Sequence, residues 1–201
     1  MGDARTRNAR LDCWFERECL FFDIGAGFGN ETLYAALKPN GPREIACFDL
    51  DLHTSLNLAY NLQINEIMNV KQYYLGIADG AGFVHANEYR ADLGVPGRPV
   101  YERIACRTFG RSLDEFIEHT GDQPDYIKID VDGFEDRGVK AMYQTLRSPQ
   151  LKSLLIEVNA VARAVVLQGL ADAGFVESGR VALGADAENI IFRRRTPRLA
   201  P

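Results

Sequence analysis

The run Leu20-Phe21-Phe22-Asp23-Ile24-Gly25-Ala26-Gly27-Phe28-Gly29-Asn30 constrains this chain more than any other. Residues of buried-strand composition lead directly into glycines at alternate positions, and a helical pattern over Asn30 to Lys38 follows. Glycines between a strand and a helix permit a tight turn and let a ligand approach the backbone over the helix N-terminus. The helix pattern is stopped by Pro39-Asn40-Gly41-Pro42.

The alternation then repeats. Glu44 to Asp49 reads as a second strand, Leu52 to Ile64 as a second helix, and Val70 to Leu75 as a third strand. Tyr126 to Val131 reads as a fourth strand. After it, Val139, Met142, Tyr143 and Leu146 form one apolar helical stripe. Leu151 to Val158 is a fifth strand, Val161 to Asp172 a helix ending at Gly174. Phe175 to Leu183 and Asn189 to Arg194 are two last strands joined through Gly184-Ala185-Asp186. Strands separated by helices pair in parallel with right-handed crossovers. The last connection is too short for a crossover, so the final strand should run antiparallel. The expected architecture is an α/β, Rossmann-like sheet of seven strands, parallel except for its last, with helices on both faces.

One stretch breaks the pattern. Residues 76–109 carry Gly80, Gly82, Gly94, Pro96, Gly97 and Pro99, and read as an inserted hairpin (Phe83 to Asn87 with Tyr101 to Thr108) around a loop. Ser112-Leu113-Asp114-Glu115 has capping-box spacing and should open a helix through His119. The expected organisation is an N-terminal extension over 1–19, one domain over 20–195 that includes the insert, and a tail over 196–201.

Composition narrows the function classes. At 201 residues, with 46% hydrophobic and 25% charged residues, the chain is long enough for one well-buried core. Its 23 basic and 28 acidic residues give a net charge of −5, which disfavours nucleic acid as the main partner. Cys13, Cys19, Cys47 and Cys106 stand far apart without a C-x-x-C pair, which fits a reducing, cytoplasmic setting and not a zinc or dithiol site. No apolar run is long enough for a membrane span. Met1 to Arg10 is basic and polar, unlike a secretory leader.

Three ligand classes compete for the glycine turn. A phosphate-cradling loop requires a Lys after the last glycine, and Asn30 stands there. In a dinucleotide fingerprint Asn30 would occupy the third small position, and Asp23 would oppose a pyrophosphate. The spacing that remains is D-x-G-x-G-x-G, which suits a cofactor with positive charge and no phosphate. A nicotinamide-dependent oxidoreductase is therefore the weaker enzymatic reading, and a non-catalytic binding domain is the alternative from another class.

Asp23 through Gly29 resembles motif I of the class I S-adenosylmethionine-dependent methyltransferases. The resemblance implies that Asp23, Gly25, Ala26, Gly27 and Gly29 face S-adenosylmethionine. It also implies that Asp49 accepts the ribose hydroxyls, Leu50 walls the adenine, and Ala78-Asp79 lies near the adenine amino group. A narrower likeness covers about Leu20 to Arg194. Phe48-Asp49, Asn57 to Asn65, Ser112-Leu113-Asp114, Lys128-Ile129-Asp130-Val131-Asp132-Gly133-Phe134-Glu135, Leu155-Ile156-Glu157 and Asn189-Ile190-Ile191-Phe192-Arg193 are similar in order to the FkbM methyltransferases. The chain departs from that pattern at Gly27 (often Asn), at Asp49-Leu50 (Glu-Pro) and at Asp132 (Glu). The likeness implies O-methylation of a hydroxyl on a sugar, glycan or secondary metabolite, with the insert selecting the substrate.

Transfer to a hydroxyl requires a base within reach of the departing proton. The carboxylates at the carboxyl ends of the fourth and fifth strands are the candidates: Asp130 (also on the cofactor side), Asp132 and Glu157, with Glu135 nearby. Asp130 and Asp132 share a face by strand alternation and could share a proton, order the loop or bind a metal; no metal is expected. Lys128 has the same parity and reads as a buried ion-pair partner. Among the histidines, His53 opens the second helix and His119 closes a later one as a dipole partner. His85 and Tyr89 lie in the insert. Arg193-Arg194-Arg195 with Arg198 reads as a solvated basic end.

Overall fold

The computed structural model describes residues 14–16, 18–91, 102–131, 139–183 and 187–195, with the side chains of 85–91 and 102–106 left aside. A seven-stranded sheet holds β1 (Leu20–Ile24), β2 (Glu44–Asp49), β3 (Val70–Tyr74), β7 (Tyr126–Ile129), β8 (Ser153–Asn159), β9 (Phe175–Ala182) and β10 (Ala187–Arg194) in the order β3-β2-β1-β7-β8-β10-β9. Neighbours pair in parallel except at β10, which runs antiparallel to both β8 and β9. β9 therefore points the same way as the first five, and only the last strand is reversed, as the short connection requires.

Alternation along the strands sorts side chains to two faces. Phe22, Ile24, Phe48, Ile127 and Ile129 pack with Phe116 and Ile117 of α3 (Leu113–Thr120) and with Val166 and Leu170 of α4 (Arg163–Asp172). Phe21 and Ile45 meet Ala35 of α1 (Asn30–Ala36) on the opposite face, where Cys47 meets Leu58 and Leu62 of α2 (Leu52–Ile64). Both faces carry helices. α2 starts where expected because Asp51 caps it, accepting from His53 N and Thr54 N. α3 has the expected capping box between Ser112 and Glu115.

The insert differs from the expected hairpin. β5 (Gly82–Ala91) and β6 (Glu102–Arg111) are longer, and a two-residue strand β4 (Gly76–Ile77) pairs in parallel with the end of β6 to make a second, three-stranded sheet. Gly76 and Gly110 allow this packing: a Cβ on either would fall within 2.8 Å of a Val84 methyl. The apolar stripe expected after the fourth strand also changes. Residues 139–141 are helical, but the chain then passes through turns into a 3₁₀ segment, Thr145–Arg147. The altered period buries Met142 and Leu146 and turns Tyr143 outward under the Arg147 guanidinium, 3.5 Å from its ring centroid. Gly184 to Asp186 and the residues of 1–13 and 196–201 lie outside the described residues.

Candidate functional site

Beside the central β7 lies β1, the third strand of the sheet. The chain leaves it toward β2 and β3, then crosses to β7 on its other side, so a crevice opens at the carboxyl ends of β1 and β7, the switch point at which open α/β sheets bind ligands. Strand register decides which residues meet there. Ile24 pairs with Phe48 on one side and Ile129 on the other, so Gly25 lies level with Asp49 and Asp130. Ile129 pairs with Ile156, which places Glu157 beside Asp130, and Glu157 in turn faces Asn189. Asp49, Gly25, Asp130 and Glu157 thus form one row, although they are far apart in sequence. Glu157 was expected to end its strand, but β8 continues two residues further to Asn159, because β10 pairs along its full length.

The glycine turn is left-handed at Gly25 (φ 76°), Gly27 (φ 54°) and Gly29 (φ 88°). Gly25 N and Ala26 N both donate to Phe48 O, fastening the turn to β2. A Cβ on Gly25 would sit 2.0 Å from Asp130 O, and one on Gly29 2.2 Å from a Leu58 methyl. Those two glycines are needed for packing. Gly27 is different: its open side meets nothing within 4 Å, and its N–H donates to Asp49 Oδ2 at 2.7 Å. Ala26 is buried against Leu58 and Leu62, so only its backbone borders the crevice.

Asp49 carries more protein bonds than expected. Oδ2 accepts from Gly27 N, while Oδ1 accepts from Asp51 N (2.8 Å) and Thr54 Oγ1 (2.9 Å). A carboxylate has about four acceptor positions. One remains, on Oδ2, so Asp49 has room for one ribose hydroxyl and not for two in addition to its present bonds. Leu50 is half-buried, reaching toward Gly76. Ala78 is held by a bond from its N–H to Arg111 O, and Asp79 is exposed at the surface.

Asp23 is corrected by the structure. It was expected to face the ligand, but β1 alternation turns it inward to complete burial, where Oδ2 accepts from Thr32 Oγ1 at 2.6 Å. Its partner across β7 is Lys128, register-matched and equally buried. Lys128 Nζ lies 3.1 Å from Asp23 Oδ1, 3.6 Å from Asp130 and 3.9 Å from Glu31, and donates to Gly25 O at 2.9 Å. Burial alone would lower the Lys128 pKa, but Asp23, then Asp130 and Glu31 outweigh it and hold the amine well above its usual range. Lys128 is a permanent cation beneath the turn. Glu31 and Thr32 were not singled out from sequence; both lie in the first turn of α1, where that location was the available signal. Burial pushes the Glu31 carboxyl upward, with Lys128 opposing and Asp23 and Asp130 adding to the rise. Burial likewise raises the Cys47 thiol far above its usual range, with Asp23 next, so it is no nucleophile.

The chain resembles several solved structures over most of its length. It superposes on the methyltransferase FkbM from Methylobacillus flagellatus with a TM-score of 0.60 at 16% identity, covering 88% of this chain and 44% of that one. An rRNA methylase from Streptococcus thermophilus gives 0.61 at 11%, covering 95% of each chain. Precorrin 8w decarboxylase from Methanobacterium thermoautotrophicum gives 0.62 at 14%, covering 96% and 91%. The fold is a Rossmann-like methyltransferase fold. No family model and no curated protein matches the chain. This chain thus spans less than half of the FkbM structure.

Other expectations fall elsewhere. Asp132, Glu135 and Arg198, and the side chains of His85 and Tyr89, lie outside the described residues. His53 sits in the first turn of α2 with its ring edge-on to Phe28, and His119 closes α3. Arg194 is not a solvated end: its guanidinium donates to the carbonyls of Leu146, Ser148, Leu151 and Ala173. No described helix is long and apolar enough to cross a membrane.

Proposed function

We propose that the chain is an S-adenosylmethionine-dependent methyltransferase acting on a hydroxyl of a sugar, glycan or secondary metabolite. One observation carries the cofactor reading: the turn is open at Gly27, whose N–H donates to Asp49, and is held two residues earlier, at the Gly25 carbonyl, by a Lys128 that faces three carboxylates. That donor set fits a ligand bearing an ammonium and a sulfonium. Asp49 Oδ2 would accept a ribose hydroxyl, Leu50 and Ala78 would border the adenine, and Asp130 would face the methionine end. The cofactor supplies an electrophilic methyl group. The chain's own contribution is to hold the acceptor in line, an effect worth up to roughly 7–11 kcal/mol, and to take its proton. Asp130 and Glu157, adjacent in the row, are the carboxylates we assign to that step; Asp132 follows Asp130 by two residues. The hairpin of β5 and β6 would select the acceptor, and the O-methylation reading rests on the FkbM likeness.

Calorimetry tests the first step. S-adenosylmethionine and S-adenosylhomocysteine should bind the wild type and bind Asp49→Asn more weakly; binding of NADH in their place would hand the site to the oxidoreductase reading. Incubation with methyl-labelled donor and cell extract tests the second. Alkali-stable label in a small-molecule or glycan fraction supports the assignment, whereas label on protein or nucleic-acid nitrogen overturns it. Asp130→Asn, assayed at saturating donor, should lower turnover by ~10²-fold, the usual scale for a positioned base.

A further inference from the structure

α2 is unusual for a helix on a protein surface. Its 13 residues, Leu52 to Ile64, include no Asp, Glu, Lys or Arg. Ser55, Leu58 and Leu62 are buried against the sheet. Leu52, Leu56, Tyr60 and Ile64 point outward at intervals of four and are 53%, 62%, 63% and 57% exposed. A step of four residues advances a helix by about 40° beyond a full turn, so the four stay on one side. Surface helices ordinarily carry polar residues there. The exposed Phe28 lies beside the helix, its ring edge-on to His53 and its carbonyl accepting from Asn61, and the exposed Met68 follows the helix end.

At about 200 Å² for a large side chain, these six residues present roughly 700 Å² of apolar surface. The largest apolar patch on a monomer is usually about 300–600 Å², whereas a standard interface buries about 800 Å² per partner. We propose that this face is a two-fold interface through which the chain pairs with a second copy of itself. Neutrality is what selects that partner. A two-fold axis sets each patch against itself, and a helix without Asp, Glu, Lys or Arg brings no like charge there. The i+4 ridge of Leu52, Leu56, Tyr60 and Ile64 is the kind that interdigitates with its own copy at a crossing near −50°. An anionic lipid surface would call for Lys or Arg on the helix, and a charged peptide would find no counter-charge. The proposal goes beyond the methyltransferase reading and does not depend on it.

Sedimentation equilibrium on the full chain tests it. At about 100 μM, above the micromolar end of the range for interfaces of this size, the wild type should sediment at twice its 22.4 kDa. Leu56→Lys and Tyr60→Lys, which place like charges across the axis, should each sediment as monomers with unchanged circular dichroism. Val181→Lys, on the distant strand β9, should remain dimeric. A wild-type monomer at that concentration, or a Tyr60→Lys variant that stays dimeric, overturns the proposal. So does a wild-type monomer that cosediments with phosphatidylcholine vesicles while Tyr60→Lys does not, which would assign the face to a lipid surface.

Discussion

Lys128→Met removes the cation beneath the glycine turn while keeping the side chain's length and apolar stem. Its consequence follows from the burial of its partners. Asp130 can turn toward solvent, and Glu31, already raised by burial, can take up a proton. Asp23 cannot turn to solvent, since it is fully buried and its remaining bond is the one from Thr32. Removing one partner of a buried ion pair costs about 3–5 kcal/mol, a large part of the ~5–15 kcal/mol that holds a domain folded. For a chain of this size each kcal/mol lowers Tm by about 2–4 °C, so the melting temperature should fall by roughly 6–20 °C.

A double-mutant cycle separates this cause from a simple loss of packing. Asp23→Asn in the Lys128→Met background removes the stranded charge. The double variant should therefore be more stable than the two single effects predict, by about 1–3 kcal/mol, read from urea-denaturation midpoints. A Lys128→Met loss below about 1 kcal/mol, or strictly additive effects, would mean that Asp23 does not depend on Lys128 for its charge. The pH dependence has a definite sign. An amine whose folded pKa is raised contributes stability fully below its unfolded value of about 10.4 and loses it as pH rises through the folded value. The Lys128 contribution is therefore constant from pH 6 to 9, so any slope in the wild-type minus variant difference over that range reports proton uptake by the carboxylates that Lys128 no longer pairs.

Glu31 has the opposite dependence: an acid raised by burial destabilises the fold as pH rises from about 4.3 through its folded value, so Glu31→Gln should raise Tm at pH 7–8 and match the wild type near pH 4. Gly25→Ala should abolish soluble folded protein, because its Cβ would strike the Asp130 carbonyl, whereas Gly27→Ala should cost only the left-handed penalty of about 1–2 kcal/mol by thermal melting. Ser153 Oγ accepts from Trp14 Nε1 and donates to Phe192 O, so Ser153→Ala should cost about 1–3 kcal/mol by stranding a buried N–H, visible in the fluorescence of this single tryptophan.

What was legible in the sequence was local. α2 was bounded correctly because an aspartate cap precedes it, and the reversal of β10 followed from a connection too short to cross over. β4 was not legible, since two residues acquire strand character only from residues more than thirty positions later, at the end of β6. Tyr143 was placed inward because the stripe assumed an unbroken α-helical period, and the turn into 3₁₀ geometry shifts it. Asp49 is the instructive case at the site. It ends β2 as expected, but Asp51 and Thr54, within five residues, already carried the signal that local donors would compete for its oxygens. The Asp23–Lys128 pair required the parallel register of β1 against β7, which no short-range pattern supplies.

The charge at the switch point bears on which ligand the glycine turn can take. A turn of this shape before a helix ordinarily attracts phosphate, through free N–H groups and the roughly half positive charge of a helix N-terminus. Here Lys128 adds one positive charge, but Asp23, Glu31, Asp49 and Asp130 surround the same turn. With Glu31 ionised, these side chains and the helix end sum to about −2.5; with Glu31 protonated, to about −1.5. Either way the field is negative where a pyrophosphate would lie. A dinucleotide would have to bring a counter-ion or displace Asp49 from Gly27, while a ligand with a positive sulfonium and ammonium meets a complementary field without rearrangement. Asp49→Asn moves the sum toward neutrality, so the two ligand classes should respond in opposite directions: weaker binding for the cationic cofactor, stronger for a dinucleotide. Calorimetry of that variant against both ligands checks this, and reversed signs would mean that the charge at the turn does not select the ligand.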